Sequence, residues 1–180
     1  MPTLVLPATE LDLPHLAVIE DRSDQLFVQR YVPPHEREDW HGAPGGQQRA
    51  QAPGFLLVAR ERARGPLVGF VHVLEPAVGP AHLEQLSVLP SHGRRGHGRA
   101  LVTAALREAS LRGHREITLR TYAEVPFNAP FYRSCGFEES QPTTAFQRRL
   151  VDVEQEQGLM RYGRRVQMTA PLSGLDQPTP

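Results

Sequence analysis

The sequence predicts one α/β (α+β) domain built on a central mixed β-sheet flanked by helices. Three observations carry this. Short apolar runs at 55–61, 67–75, 81–89 and 116–122 have strand length and are bounded by Gly- and Pro-rich turns. Stretches 99–112 and 144–158 instead place their apolar residues at helical spacing. The order of these runs is mixed: hairpin-like strands come first, then strand, loop, helix and strand, for which a right-handed parallel crossover is expected. At 180 residues the chain is one ordinary domain, long enough to bury a core. With 39% hydrophobic and only 7% aromatic residues, that core is expected to be aliphatic.

Taken in order, residues 3–7 (TLVLP) read as an opening strand. Leu13, Leu16, Ala17 and Ile19 then recur at helical spacing, to about Phe27, with Asp12 as N-cap and Pro14 just inside the helix. Residues 31–54 contain YVPP, HEREDW and GAPGG, and predict a loop with one short helix. So long an irregular stretch in a compact domain marks a functional or mobile segment. Two strands, 55–61 and 67–75, follow around a Gly-containing turn. Within 81–89, Leu83 and Leu86 stand three apart while Leu86 and Val88 keep the two-residue period, which predicts a bulge near Glu84-Gln85. After a loop at 90–98, Leu101, Val102, Ala105, Leu106 and Ala109 make the apolar face of a helix over 99–112 that Gly113 stops. A strand at 116–122, a short helix at 128–135 closed by Gly136, and a strand starting at Phe137 come next. Phe146, Leu150 and Val153 mark an amphipathic helix over 144–158, and 164–172 is a last strand. The tail 173–180 is expected to fray.

Composition removes several function classes. All twenty basic residues are Arg and they balance twenty acidic ones, so a wholly basic nucleic-acid binder is excluded as the first reading. Without Lys, neither Schiff-base chemistry nor a Lys-dependent phosphate loop can operate. The single Cys135 excludes an internal disulfide and a Cys-cluster zinc site, and the eight His residues lack metal-ligand spacing, so no metal is expected. No apolar run approaches the roughly 18 residues of a membrane helix, and the N-terminus has no signal-peptide pattern. The expectation is a cytoplasmic protein with no membrane partner.

Chemistry concentrates between 81 and 112, where a strand runs into a Gly-rich loop that opens a helix. Gly93, Gly96 and Gly98 let the backbone approach a ligand, and the helix start adds unpaired N–H groups at the positive end of a dipole. Residues 94–120 hold seven Arg against two Glu, so the local charge, +5, favours an anion. The dinucleotide fingerprint does not fit: Gly96-His97-Gly98-Arg99-Ala100-Leu101 comes late in the chain and lacks the final Gly.

These residues resemble the GNAT superfamily of acetyl-CoA-dependent N-acetyltransferases. Its signature, a strand ending in V-x-P, then Arg/Gln-x-x-Gly-x-Gly/Ala and an Ala/Leu-rich helix, is matched by Val88-Leu89-Pro90, Gly93-Arg94-Arg95-Gly96-His97-Gly98 and Arg99-Ala100-Leu101-Val102. The family's Tyr before a Gly-Phe pair is matched by Tyr132 and Gly136-Phe137. The resemblance implies one acetyltransferase-like domain over 3–172, with its acetyl-CoA motif in 81–137 and a V-shaped split between the strands at about 81–89 and 116–122. Acetyl-CoA, as co-substrate, would lie in the split. Its pantetheine would pair with the main chain of Leu86, Ser87 and Val88, and its pyrophosphate would rest on Gly93, Arg94, Arg95, Gly96, His97, Gly98 and Arg99. Two positions depart from the family. Gly93 replaces the usual Arg or Gln, and Val125 stands where an Asn often precedes the Tyr by seven residues, leaving Asn128 as the substitute contact to pantetheine.

The implied activity is transfer of acetyl from acetyl-CoA directly to a primary amine, on a small molecule or a peptide, by a monomer or homodimer with no nucleic-acid partner. An ammonium has no lone pair, so a proton must leave the acceptor, and the resemblance places Glu84 as its base. His82, Glu124 and water remain alternatives. Tyr132 is placed to protonate the departing thiolate. Cys135 reads as a packing residue, Ser87 has no readable base partner, and His97 is tolerated between glycines rather than catalytic. A non-catalytic acyl-CoA-binding module on the same fold is the alternative, and a nucleic-acid-binding domain using 94–120 is a weaker one. The acceptor is not encoded in a motif. Glu20, Asp21, Asp24, Glu36, Glu38 and Asp39 would suit a cationic amine, but a solvated acidic loop is the commoner reading of such a cluster.

Overall fold

The computed structural model describes residues 3–38, 40 and 42–172. The expected frayed tail, 173–180, and Asp39 of the acidic cluster lie outside the described residues. Seven strands form a mixed sheet: β1 (Leu4–Pro7), β2 (Gly54–Arg60), β3 (Leu67–Leu74), β4 (Ala81–Val88), β5 (Glu116–Tyr122), β6 (Glu138–Ser140) and β7 (Arg165–Pro171). Their order across the sheet is β1-β2-β3-β4-β5-β7-β6. The helices are α1 (Leu13–Tyr31), α2 (Gly46–Gln51), α3 (His97–Leu111), α4 (Ala129–Arg133) and α5 (Ala145–Glu156). The chain forms two compact units, the described parts of Met1–Leu74 with Gln85–Ala105, and of Glu75–Glu84 with Leu106–Pro180.

In the first unit β1 runs antiparallel to β2, and β2 to β3. Helix α1 buries Leu13, Leu16 and Ile19 against Val58, Leu67 and Phe70, which form one apolar cluster. The helix continues four residues beyond the expected Phe27, because Phe27 and Val28 are buried and Phe27 stacks on Tyr31 with centroids 5.1 Å apart. Asp12 is not the expected side-chain cap. Its backbone is already helical, and its carboxylate turns back to accept from Thr9 N and Thr9 Oγ1, both at 2.9 Å, and pairs with Arg60. Gly69 of β3 lies so close to β4 that a Cβ there would stand 2.6 Å from Ser87 O. The irregular stretch 31–54 holds a 3-10 turn, Pro34–Glu36, besides α2.

In the second unit the parallel ladder between β4 and β5 has three pairs, Ala81↔Ile117, His82↔Thr118 and Leu83↔Leu119. Strand β5 runs on to Tyr122 against the antiparallel β7, which also takes β6 on its other side. Ile117, Leu119, Phe137, Met168 and Ala170 are buried. The N-terminus of helix α5 is closed by a reciprocal pair: Thr144 Oγ1 accepts from Gln147 N, and Gln147 Oε1 from Thr144 N. Its expected apolar face is only half-buried, whereas Gln147 and Glu154 are buried. The reason is ionic: Glu154 accepts from Arg120 Nε at 2.9 Å and Nη2 at 2.7 Å, and from Arg165 Nη2 at 2.5 Å.

Candidate functional site

The glycine-rich loop lies in the first unit. After β4 a 3-10 turn, Pro90–His92, tightens the chain, and α3 starts at His97, two residues before its expected start at Arg99. Between them Arg94 (φ 61°) and Gly96 (φ 89°) take left-handed backbone; a side chain at 96 would be strained although the space is open. The amides of Arg94 to Gly98 donate to no backbone carbonyl among the described residues. A run of amides without partners at the start of a fifteen-residue helix is a seat for an anion. Arg94, Arg95 and Arg99 are exposed around it.

Anchors hold this loop in place. His97 is buried, and its Nδ1 lies 2.8 Å from Thr3 Oγ1 of the segment leading into β1. Glu61, just after β2, brings one carboxylate oxygen to 3.3 Å from Arg95 Nη1, 3.7 Å from His97 Nε2 and 4.0 Å from His92 Nε2. Burial holds the His97 ring below its ordinary pKa. The His97 ring is therefore an anchor, and only its main chain belongs to the anion seat. Thr3 and Glu61 have no sequence signal, because 94 and 36 positions separate them from His97. Upstream in β4, Ser87 is fully buried and its hydroxyl accepts from Gln85 Nε2 at 2.9 Å, while Leu86 and Val88 are half-buried.

A second set of polar residues in this unit was not legible in sequence. Arg49 of α2 is buried between Glu20 of α1, with which it pairs, and His72 of β3, whose Nδ1 is 3.3 Å from Arg49 Nη1. Burial pushes Glu20 up to about 7 and Asp24 up to about 6, and lowers His72 to about 4. Part of the acidic cluster is thus structural, since Glu20 is occupied by Arg49.

The proton-handling candidates lie in the second unit. Glu84 is the first β4 residue past the ladder with β5, and its side chain is 39% exposed. Its Oε2 lies 3.7 Å from His82 Nε2. His82 is buried, with Nδ1 3.0 Å from Thr118 Oγ1, and burial together with the Arg120 cation lowers its pKa to about 4. The alternative Glu124 is exposed and accepts from Arg164 Nε at 3.3 Å. The structure thus brings His82 and Glu84 together and gives Glu124 to a surface ion pair.

Tyr132 is placed by α4. Its amide donates to Asn128 O at 2.9 Å, and its own carbonyl accepts from Cys135 N at 2.9 Å and Phe137 N at 3.1 Å. Gly136, at φ 95°, makes the reversal that allows this. The ring is packed edge-on between Phe131 and Phe137. Burial, with Cys135 adding to it, pushes the phenol well above its ordinary pKa. Asn128 is half-buried, and its side chain does not cap α4. Among the described residues no group of three His, Cys, Asp or Glu that could hold a metal occurs, and no helix is long and apolar enough to cross a membrane.

The fold is that of the PaiA N-acetyltransferase of Thermoplasma acidophilum, whose structure is a complex with coenzyme A: the TM-score is 0.66 at 16% identity over 95% of this chain and 99% of that one. The ribosomal-protein-S18-alanine N-acetyltransferase of Escherichia coli gives 0.63 at 19% identity, over 99% and 100%. A mycothiol acetyltransferase of Clavibacter sepedonicus is 35% identical over 96 residues, 53% of this chain and 31% of that protein, so the match spans about a third of that relative. The model of the acetyltransferase (GNAT) family matches residues 16–137, from α1 through the loop and α3 to Phe137. With the Gly loop, the three-pair ladder and Tyr132 all inside or beside that span, the chain belongs to the acetyltransferase (GNAT) family.

Proposed function

We propose that the protein is an N-acetyltransferase that moves the acetyl group of acetyl-CoA directly to a primary amine of a small molecule or peptide, in the cytoplasm. The observation that carries this is the partnerless run of amides from Arg94 to Gly98 at the start of α3, ringed by arginines. It fits a pyrophosphate, with the amides donating and Arg94, Arg95 and Arg99 supplying positive charge. The main chain of Leu86, Ser87 and Val88 would take the pantetheine as an added strand, and Asn128 its amide groups. The coenzyme-A complex of the PaiA relative supports this choice of co-substrate.

Acetyl-CoA supplies an acyl carbon activated as a thioester. In the overall transfer a nitrogen–carbon bond forms, the carbon–sulfur bond breaks, one proton leaves nitrogen and one reaches sulfur. Glu84, exposed and acceptor-only when ionised, takes the first. Tyr132 holds the second on its Oη, since burial keeps the phenol protonated at neutral pH. The test of the cofactor assignment is thermal. Acetyl-CoA should raise the Tm, and Gly98→Glu, which puts bulk and negative charge into the seat, should abolish that rise. A rise of equal size in the variant would remove this loop from the site.

A further inference from the structure

We infer that Glu61 is an internal rival of the cofactor for Arg95: its carboxylate holds the guanidinium until the pyrophosphate of acetyl-CoA takes it, and recovers it as CoA leaves. The inference rests on the acetyl-CoA reading above and goes beyond it in naming a residue that weakens the seat. Every group involved belongs to the first unit. Glu61 Oε1 lies 3.3 Å from Arg95 Nη1, and the two side chains are 39% and 58% exposed. Arg95 stands between Arg94 and Gly96, both with left-handed backbone, inside the run of amides that forms the seat. Its charge borders the seat, yet it is paired with Glu61.

The carboxylate has a second place to go. His97 Nε2 is buried with no hydrogen-bond partner among the described residues, and it stands 3.7 Å from the same Oε1. A carboxylate facing Nε2 favours the tautomer with its proton there, so that Thr3 Oγ1 donates to Nδ1 at 2.8 Å. An N–H left without an acceptor in the interior costs free energy until one reaches it. A shift of about 0.8 Å by Oε1 would bring it to the usual hydrogen-bond length of about 2.9 Å. His92 Nε2 is 4.0 Å from the same oxygen, and its Nδ1 is 3.0 Å from Ser91 Oγ. Giving up Arg95 therefore leaves Glu61 beside a donor that lacks a partner.

Two anions then compete for one cation. An ion pair as exposed as Glu61 with Arg95 is weak. A pyrophosphate brings two charges and meets the partnerless amides as well, so the cofactor wins. It wins at a cost. If Glu61 holds Arg95 for about four-fifths of the time, binding that needs the guanidinium loses about fivefold in affinity. CoA departs with the same pyrophosphate, so the same rivalry speeds release of the product. Glu61 touches neither the reacting atoms nor the cofactor; it acts through Arg95.

The experiment titrates coenzyme A by calorimetry into the wild type, Glu61→Gln, Arg95→Gln and the double variant. Gln keeps the size and one acceptor oxygen of Glu61 and removes its charge. Glu61→Gln should tighten the Kd about fivefold at low salt and less than about twofold near 0.5 M salt, where charge is screened. Arg95→Gln should weaken binding less than about twofold in the wild type and about fivefold in the Glu61→Gln background, since only there is the guanidinium released to the phosphates. Melting curves show which variants fold, and Glu61→Ala, which also removes the charge, carries the same expectation if the Gln variant does not. A Kd that is unchanged or weaker in a folded Glu61 variant overturns the inference and leaves the carboxylate as a loop anchor only. So does a loss on Arg95→Gln of equal size in both backgrounds, or a gain that persists at high salt. A wild type that binds no coenzyme A would overturn the cofactor reading itself, and the inference with it.

Discussion

Burial raises the pKa of the Tyr132 phenol and makes its proposed acid role testable. Desolvation disfavours the phenolate, so the group offers a proton throughout the neutral range rather than taking one. Tyr132→Phe keeps the ring between Phe131 and Phe137 and should change stability by less than about 1 kcal/mol. If the phenol protonates the departing thiolate, kcat should fall by roughly 10²-fold while the acetyl-CoA thermal shift is retained. Unchanged kcat in the variant would mean that the thiolate leaves unprotonated or through water. Tyr132 and Glu84 could be proposed from sequence because they sit in or beside contiguous motifs. Glu61, Thr3 and Arg49 were not: each acts on a residue 23 or more positions away, and only the folded sheet makes those distances short.

Elements with a strong local period were legible to within a residue or two. Strands β2 to β5 and helix α3 stand where alternation and the Leu101, Val102, Ala105, Ala109 face put them, and Gly113 ends the helix at φ 88°. Where tertiary partners decide, sequence failed. The last turn of α1 exists because Phe27 meets Tyr31 and Trp40. Helix α5 has an apolar stripe in sequence but buries Glu154, because two arginines from β5 and β7 reach it. The insertion of β7 between β5 and β6 is a pairing choice that no local pattern records. The spacing within β4 predicts a bulge near Glu84-Gln85, whereas β4 runs as one strand from Ala81 to Val88 and its ladder with β5 ends after Leu83.

Across the whole molecule, buried titratable groups set how stability responds to acid. His82 is neutral in both states above pH 6.5 and has no effect there. Between 6.5 and its folded value of about 4, the unfolded chain takes a proton that the folded one refuses, so stability falls as pH falls, by up to about 3 kcal/mol. Glu20 and Asp24, raised to about 7 and 6, act in the opposite sense and are common to the wild type and any variant at 82. His82→Gln should therefore lose less Tm than wild type between pH 7 and 4.5, by about 5 °C. Parallel Tm curves for the two proteins would place the ring in water rather than in the core. Group transfer is tested most directly by thiol release from acetyl-CoA as a function of primary-amine concentration. Release should saturate in amine, with kcat lowered roughly 10²-fold by Glu84→Gln. Binding of acetyl-CoA with no amine-dependent thiol release would contradict it and make the protein an acyl-CoA-binding module.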